Sequence, residues 1–285
     1  MSSSTSSEPA KKVDWSATQY LKFGNERTRA VYDLLSQVIP HIESPNPRVM
    51  DLGCGPGNST KVLLEAFPNA QIIGMDSSPD MLQRARATIP GIEFVQGDLY
   101  TFSPDPGADL LFSNAVYHWL RRDTRVPTII RLLESQRSGG VFAFQVPDNY
   151  HQPSHFLMRE TASLSGTPWS SSFSNTRIGD LEDKERPDLD PIEKPEEWYN
   201  ALLPYCSSVN IWRTEYQHVL DSANGIVEWV RGTGLQPFIN LLPDDKIRDA
   251  FVAEYEKRLS DVYKPLANGK VMLAYPRLFV VAVRK

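Results

Sequence analysis

The sequence has little of what would assign it to a class at once. Two cysteines in 285 residues, Cys54 and Cys206, with no C-x-x-C spacing, exclude a disulfide framework and a cysteine-rich zinc module. There is no cationic excess: 30 Lys+Arg stand against 35 Asp+Glu for a net charge of -5, so no basic nucleic-acid surface is expected. No apolar run approaches the roughly 20 residues that a membrane span needs. The opening "MSSSTSSEPAKK" lacks the apolar core of a secretory signal, and it reads as a disordered tail over residues 1–12. No internal repeat is present. These absences point to a cytoplasmic protein with no nucleic-acid, membrane or metal partner, expected to act as a monomer. Its 41% hydrophobic and 23% charged residues are ordinary for a globular fold.

What is there is an alternation. "RVMDLG", "AQIIGMD", "IEFVQGD", "ADLLFSNA" and "GGVFAFQVP" read as strands. Between them stand helical patterns such as "NSTKVLLEAF", "SPDMLQRARATI" (Ser78 as N-cap, Pro79 at the first position) and "TRVPTIIRLLES". Such alternation predicts an α/β fold, a parallel sheet with helices on both faces. One domain over 13–285 accounts for it, with N-terminal cap helices at 13–40 and a cofactor-binding core at 48–147. The Ser-, Pro- and acid-rich stretch 164–195 reads as a flexible insertion. Helical additions and closing strands fill 196–285, ending in "PRLFVVAVRK", apolar enough for burial on both faces.

The first strand runs into "DLGCGPGNST". A dinucleotide turn would read G-x-G-x-x-G, and a P-loop would read G-x-x-x-x-G-K-[ST]. The spacing G-x-G-x-G, with Pro56 inside it, is neither, so the pyrophosphate readings fail. A ligand that approaches backbone without a pyrophosphate remains, and S-adenosylmethionine fits. Its amino group can donate to loop carbonyls at Gly53, Gly55 and Gly57, and Asp51 adds negative potential before the loop. Asp76, 25 residues beyond Asp51 at the next strand end, can accept from both ribose hydroxyls. Asp98 at the third strand end can take the adenine amino group, with the Leu99 N–H beside it. Cys54 and Ser77 lie inside the first two stretches and are counted with this set.

The stretches "DWSATQYLKFGNERTR", "DLGCGPGNST", "GMDSSPDML", "SNAVYHWL", "QVPDN", "HFLMRE", "WVRGTGL" and "LAYPRLFVVAVRK" span nearly the whole chain from Trp15. They resemble the class I S-adenosylmethionine-dependent methyltransferases, and within them the trans-aconitate 2-methyltransferase family. The resemblance implies a Rossmann-like, seven-stranded, mostly parallel sheet whose last strand is antiparallel, and methyl-ester formation on a small-molecule carboxylate. It also implies cofactor contacts from Gly53, Gly55, Asp76, Asp98, Leu99 and Asn114, lid residues at Tyr20 and Arg27, and site positions at Trp119, His155 and Arg159. Three residues depart from the family pattern: His118 where Gln is expected, Tyr150 where Trp is expected, and Gln236 in "TGLQPF" where Arg is expected.

Two acceptors stay open at this point. A carboxylate is ionised at neutral pH and needs no base, only orientation, for which Arg159, Arg213, Arg231 and Arg277 are the candidates. A hydroxyl of a polyketide- or peptide-derived metabolite would need its proton removed, which makes His118 and His155 candidate catalytic residues beside Arg159. A protein that binds the cofactor without methylating is a more distant reading. An NAD oxidoreductase is opposed by the glycine spacing and Asp98. The acidic balance and the lack of a D/N-P-P-Y motif oppose DNA or amino-group methylation.

Overall fold

The computed structural model of the protein describes residues 24–285. The expected tail, the start of the expected N-terminal helices and Tyr20 lie outside the described residues. The alternation is realised as α1 Gly24–Val38, β1 Arg48–Leu52, α2 Asn58–Ala66, β2 Gln71–Asp76, α3 Pro79–Thr88, β3 Glu93–Gln96, β4 Leu110–Asn114, α4 Arg122–Glu134 and β5 Val141–Pro147. Then follow α5 Pro153–Ala162, α6 Pro195–Leu202, β6 Cys206–Leu220, α7 Ala223–Arg231, α8 Gln236–Asn240, α9 Asp245–Val262 and β7 Val271–Arg284. Local chemistry sets the boundaries. Ser78 Oγ accepts from the Met81 N–H at 3.3 Å to cap α3, and Pro79 fills the first helical position, where no N–H is needed.

The seven strands form one sheet in the order β3-β2-β1-β4-β5-β7-β6. β1 to β5 are parallel neighbours, and β7 runs antiparallel between β5 and β6. Strand order reverses between β1 and β4, and that reversal opens a crevice at the carboxyl ends of the strands. Burial explains the apolar runs: Val141, Phe142, Ala143, Phe144 and Val146 of β5 have no exposed surface, and Leu278 to Ala282 of β7 are buried likewise. One core packs α1 and α2 against the sheet, and another packs α4 and α6 on the opposite face. A third cluster gathers α5, α7, α8 and α9 around Val271, Leu273 and Tyr275 of β7, so the helical additions are mounted on the protruding end of that strand. No described helix is long and apolar enough to cross a membrane.

The stretch 164–195 departs from the expectation of a flexible insertion. Trp169 and Phe173 are buried in the helical cluster. Fully buried Arg186 pairs with Asp188 and Asp190, while Arg121 donates to the carbonyls of Lys184, Arg186 and Asp188. Arg125, also fully buried, ties Glu193 and the Pro191 carbonyl to the carbonyls of Tyr117 and Leu120. Composition misleads here because acids and prolines usually mark solvated chain, whereas Asp188, Asp190 and Glu193 of this stretch are buried and matched by Arg121, Arg125 and Arg186. Buried charges so paired satisfy one another, and removing one partner leaves an uncompensated charge. The stretch is a strap, fastened beside the crevice.

Candidate active site

The turn after β1 is stitched to β2 by the N–H groups of Gly53 and Cys54, both donating to the Met75 carbonyl at 2.7 and 2.9 Å. Gly53 has φ 74°, and a Cβ there would lie 2.4 Å from a Val116 methyl, so only glycine fits. Gly53, Cys54 and Gly55 line a crevice of about 290 Å³. Two members of the motif do other work, which corrects the sequence reading. Gly57 is the N-cap of α2 at φ 94°, turned toward Ile89 and away from the crevice lining. Asp51 is fully buried beneath the turn, where Oδ2 accepts from Ser59 Oγ (2.7 Å) and Thr60 Oγ1 (2.6 Å). Burial lifts its carboxyl to about 6 against those hydroxyl bonds. It braces the turn and does not line the crevice.

Asp76 does line it. Its Oδ2 accepts from the Gly55 N–H and its Oδ1 from the Ser78 N–H, each at 2.9 Å. Burial raises its pKa, and these backbone donors act the other way. Ser77, Asp98 and Leu99 line the same end. Asp98 Oδ1 takes the Tyr100 N–H (3.1 Å), and Arg131 of α4 holds the turn through the carbonyls of Leu99 and Phe102. Half-exposed Tyr100 joins the lining, and its place beside Asp98 is the signal that sequence reading passed over.

The other end is built from distant segments. Asn114 ends β4, and Ala115 follows at φ 58°, a left-handed conformation uncommon for a residue with a Cβ. Asn114 Oδ1 accepts from Gln145 Nε2 at 2.5 Å, and Gln145 Oε1 accepts from Arg277 Nη1 at 3.0 Å. A guanidinium only donates, so Arg277 fixes which way the Gln145 amide lies. That in turn engages the Asn114 oxygen and leaves its Nδ2 as the group offered to the crevice. Gln145 escaped notice, although a lone amide inside the apolar run "VFAFQVP" marks it. Arg277, 3% exposed, lies 5.2 Å from the Tyr275 ring centroid. Arg27 lines this end too, donating to the Trp229 carbonyl at 3.0 Å.

The remaining candidates divide. His118 and Trp119 line the crevice, with rings 4.7 Å apart. Burial and the nearby Arg125 and Arg277 hold His118 well below the usual imidazole range, so it is neutral and weakly basic. His155 and Arg159 line an adjoining cavity of about 40 Å³ that shares His118, Trp119 and Tyr275 with the main one. Burial brings His155 down to about 3, and its Nδ1 sits 3.1 Å from Ser154 Oγ. Arg159 stacks 3.8 Å from the Tyr150 ring centroid. Arg213 and Arg231 are spent in partly exposed ion pairs with Asp148 and Glu228. Gln236 lines neither cavity, and its amide donates to Asn240 at 2.7 Å. Its departure from the family pattern therefore does not touch the site.

The crevice thus has an acidic end, Asp76 and Asp98, and a cationic end, Arg27 and Arg277. Parallel strands with a glycine turn would serve many nucleotide-binding proteins. The antiparallel β7 inserted between β5 and β6, with a turn lacking the pyrophosphate spacing, narrows them to the S-adenosylmethionine-dependent methyltransferases. A family model described as a methyltransferase domain matches residues 49–140. The solved YcgJ protein of Bacillus subtilis shares the fold at a TM-score of 0.53 and 15% identity, over 89% of this chain and 99% of that one. Similarity to curated sequences is far higher. A trans-aconitate 2-methyltransferase of Rhizobium rhizogenes is 44% identical over 95% of this chain and 99% of its own length. One from Rhodopseudomonas palustris is 45% identical over 95% and 100%. The chain belongs to the trans-aconitate 2-methyltransferase family, and its methyl donor is S-adenosylmethionine.

Proposed function

We propose that the protein transfers a methyl group to a carboxylate oxygen of a small polycarboxylate such as trans-aconitate, forming a methyl ester. The observation that carries this is the pair Arg27 and Arg277, both at least nine-tenths buried, lining the end of the crevice away from the two acids. Guanidinium groups in a shielded site match carboxylate geometry through paired hydrogen bonds.

Bound at the acidic end, S-adenosylmethionine supplies an electrophilic methyl on a sulfonium. Asp76 would accept from its ribose hydroxyls, Asp98 and Leu99 would meet its adenine, and Gly53, Gly55 and Asn114 would meet its methionyl part. The open space above Gly55, where no atom of the described residues lies within 4 Å of where a Cβ would stand, fits such a ligand. Arg277 and Arg27 would then orient the acceptor. Positioning is most of the work in a displacement of this kind, and a carboxylate with pKa near ~4 is already a nucleophile at neutral pH. The hydroxyl reading needs a base, and His118 is a poor one. Two free, buried thiols, Cys54 and Cys206, suit a reducing cytoplasm.

Purified protein incubated with methyl-labelled S-adenosylmethionine and trans-aconitate should release label as an alkali-labile ester. Cofactor bound with no ester from trans-aconitate or other polycarboxylates would overturn the proposal.

A further inference from the structure

Beside the cationic end lies the cavity of about 40 Å³, with His118, Trp119 and Tyr275 lining both spaces. It has room for roughly three water molecules, or one carboxylate group. Asn149, in the loop between β5 and α5, lines it and is only 5% exposed. Among the described residues neither Asn149 Nδ2 nor Oδ1 has a hydrogen-bond partner, and His118 Nδ1 is likewise unpartnered. A buried amide with both ends unsatisfied is costly unless something polar meets it. Two such groups on one small cavity point to a polar occupant.

The charge around the cavity gives that occupant its sign. Asp188 and Asp190 line the wall, but they are already engaged. Asp188 accepts from Arg186 and the Gly179 N–H, and Asp190 from Arg186, Arg121 and the Arg122 N–H. Glu193 is paired with Arg125. Arg121, Arg125, Arg186 and Arg159 therefore face three carboxylates, with Arg159 the surplus cation. Its guanidinium donates to the carbonyls of Tyr150 and His155, and the carboxylate it feels, Asp188, is already shared with Arg186.

We infer that this cavity is a distal subsite for a second carboxylate of the acceptor, and that Asn149 is the residue that selects for it. Asn149 Nδ2 donates to that carboxylate, His118 Nδ1 presents a second N–H in the matching tautomer, and Arg159 supplies the charge. One carboxylate of the acceptor then lies at Arg277 for methylation while another reaches past His118. The strap matters to this because Asp188 and Asp190, which it carries, close the subsite wall. The inference rests on the polycarboxylate reading and adds to it the residue that measures the acceptor's second arm.

The test is Asn149→Ala and Asn149→Ser, assayed with trans-aconitate and with crotonate, a monocarboxylate without the second arm. Binding of trans-aconitate to the S-adenosylhomocysteine complex is measured separately by calorimetry, and S-adenosylhomocysteine affinity reports whether each variant is folded. The expected result is a KM for trans-aconitate raised at least about tenfold in Asn149→Ala, less in Asn149→Ser, with kcat within about threefold and crotonate kinetics unchanged. Calorimetry should show the same weakening. Unchanged trans-aconitate affinity in a variant that binds S-adenosylhomocysteine normally means that Asn149 meets only water, and overturns the inference. If the native protein binds trans-aconitate without making ester, the methylation reading falls, while the binding comparison still decides the subsite. Native protein that binds no polycarboxylate overturns both.

Discussion

The two ends of the crevice are built in opposite ways. The acidic end comes from consecutive strand ends, each contributing residues within a few positions of a βα turn: 53–55, 76–77 and 98–100. The cationic end joins Arg27 to Trp229 across 202 residues and Gln145 to Arg277 across 132. Local turns with backbone-anchored carboxylates suit a cofactor shared by a whole fold class. An end assembled from separate additions can be changed without disturbing that cofactor. The contrast teaches that donor and acceptor specificity here are separable, and mutations should show it.

The largest effect is expected at Arg277. Arg277→Gln should lower kcat/KM for trans-aconitate by about 10²- to 10³-fold, as for loss of a buried charged partner, while S-adenosylhomocysteine affinity falls by less than about tenfold, the part carried through Gln145 and Asn114. A comparable loss in cofactor affinity would show that the two ends are not separable. Asp76→Asn should do the reverse. Cofactor affinity measured by calorimetry should fall about 10- to 100-fold, with acceptor KM little changed.

Asp51 sharpens the comparison, because it stands in the motif yet braces the turn. Its pKa in the folded chain is raised to about 6, so the folded state takes up this proton before the unfolded chain does as pH falls. The cost of burying its charge therefore grows as pH rises from about 4 to about 6 and is constant above. Denaturation of the native protein should show a loss of roughly 2–3 kcal/mol over that window which Asp51→Asn lacks. Cofactor affinity of Asp51→Asn should stay within about threefold of native. A tenfold loss would return Asp51 to the cofactor set. The smallest effect is expected at Gln236: Gln236→Arg puts in the residue that the resemblance leads one to expect but should move trans-aconitate KM by no more than about twofold, since this side chain lines neither cavity.

The same contrast explains what could be read from the sequence. Strand alternation, the Ser78–Pro79 cap and the acids at 76 and 98 are short-range patterns, and each stands where its periodicity or spacing puts it. Asp51 and Gly57 misled because a motif records everything the turn needs, including the Ser59–Thr60 brace and the packing of Gly57 on Ile89. Gln145 and the strap were not legible for a different reason. Their meaning lies in partners that no short-range pattern shows, and a Pro- and acid-rich stretch looks solvated until buried Arg125 and Arg186 are seen to pair with Glu193, Asp188 and Asp190. Arg213, Arg231 and Gln236 show the converse: residue type alone made them candidates, and geometry turned them elsewhere.

The most direct measurement is the pH dependence of methyl transfer to trans-aconitate by the native enzyme at saturating S-adenosylmethionine, with the alkali-lability of the product scored at each pH. A carboxylate acceptor oriented by arginines, beside a histidine held neutral, predicts an alkali-labile ester and a kcat flat from about pH 6 to about pH 9. An alkali-stable product, or a rate that climbs through that range as a base loses its proton, would contradict it.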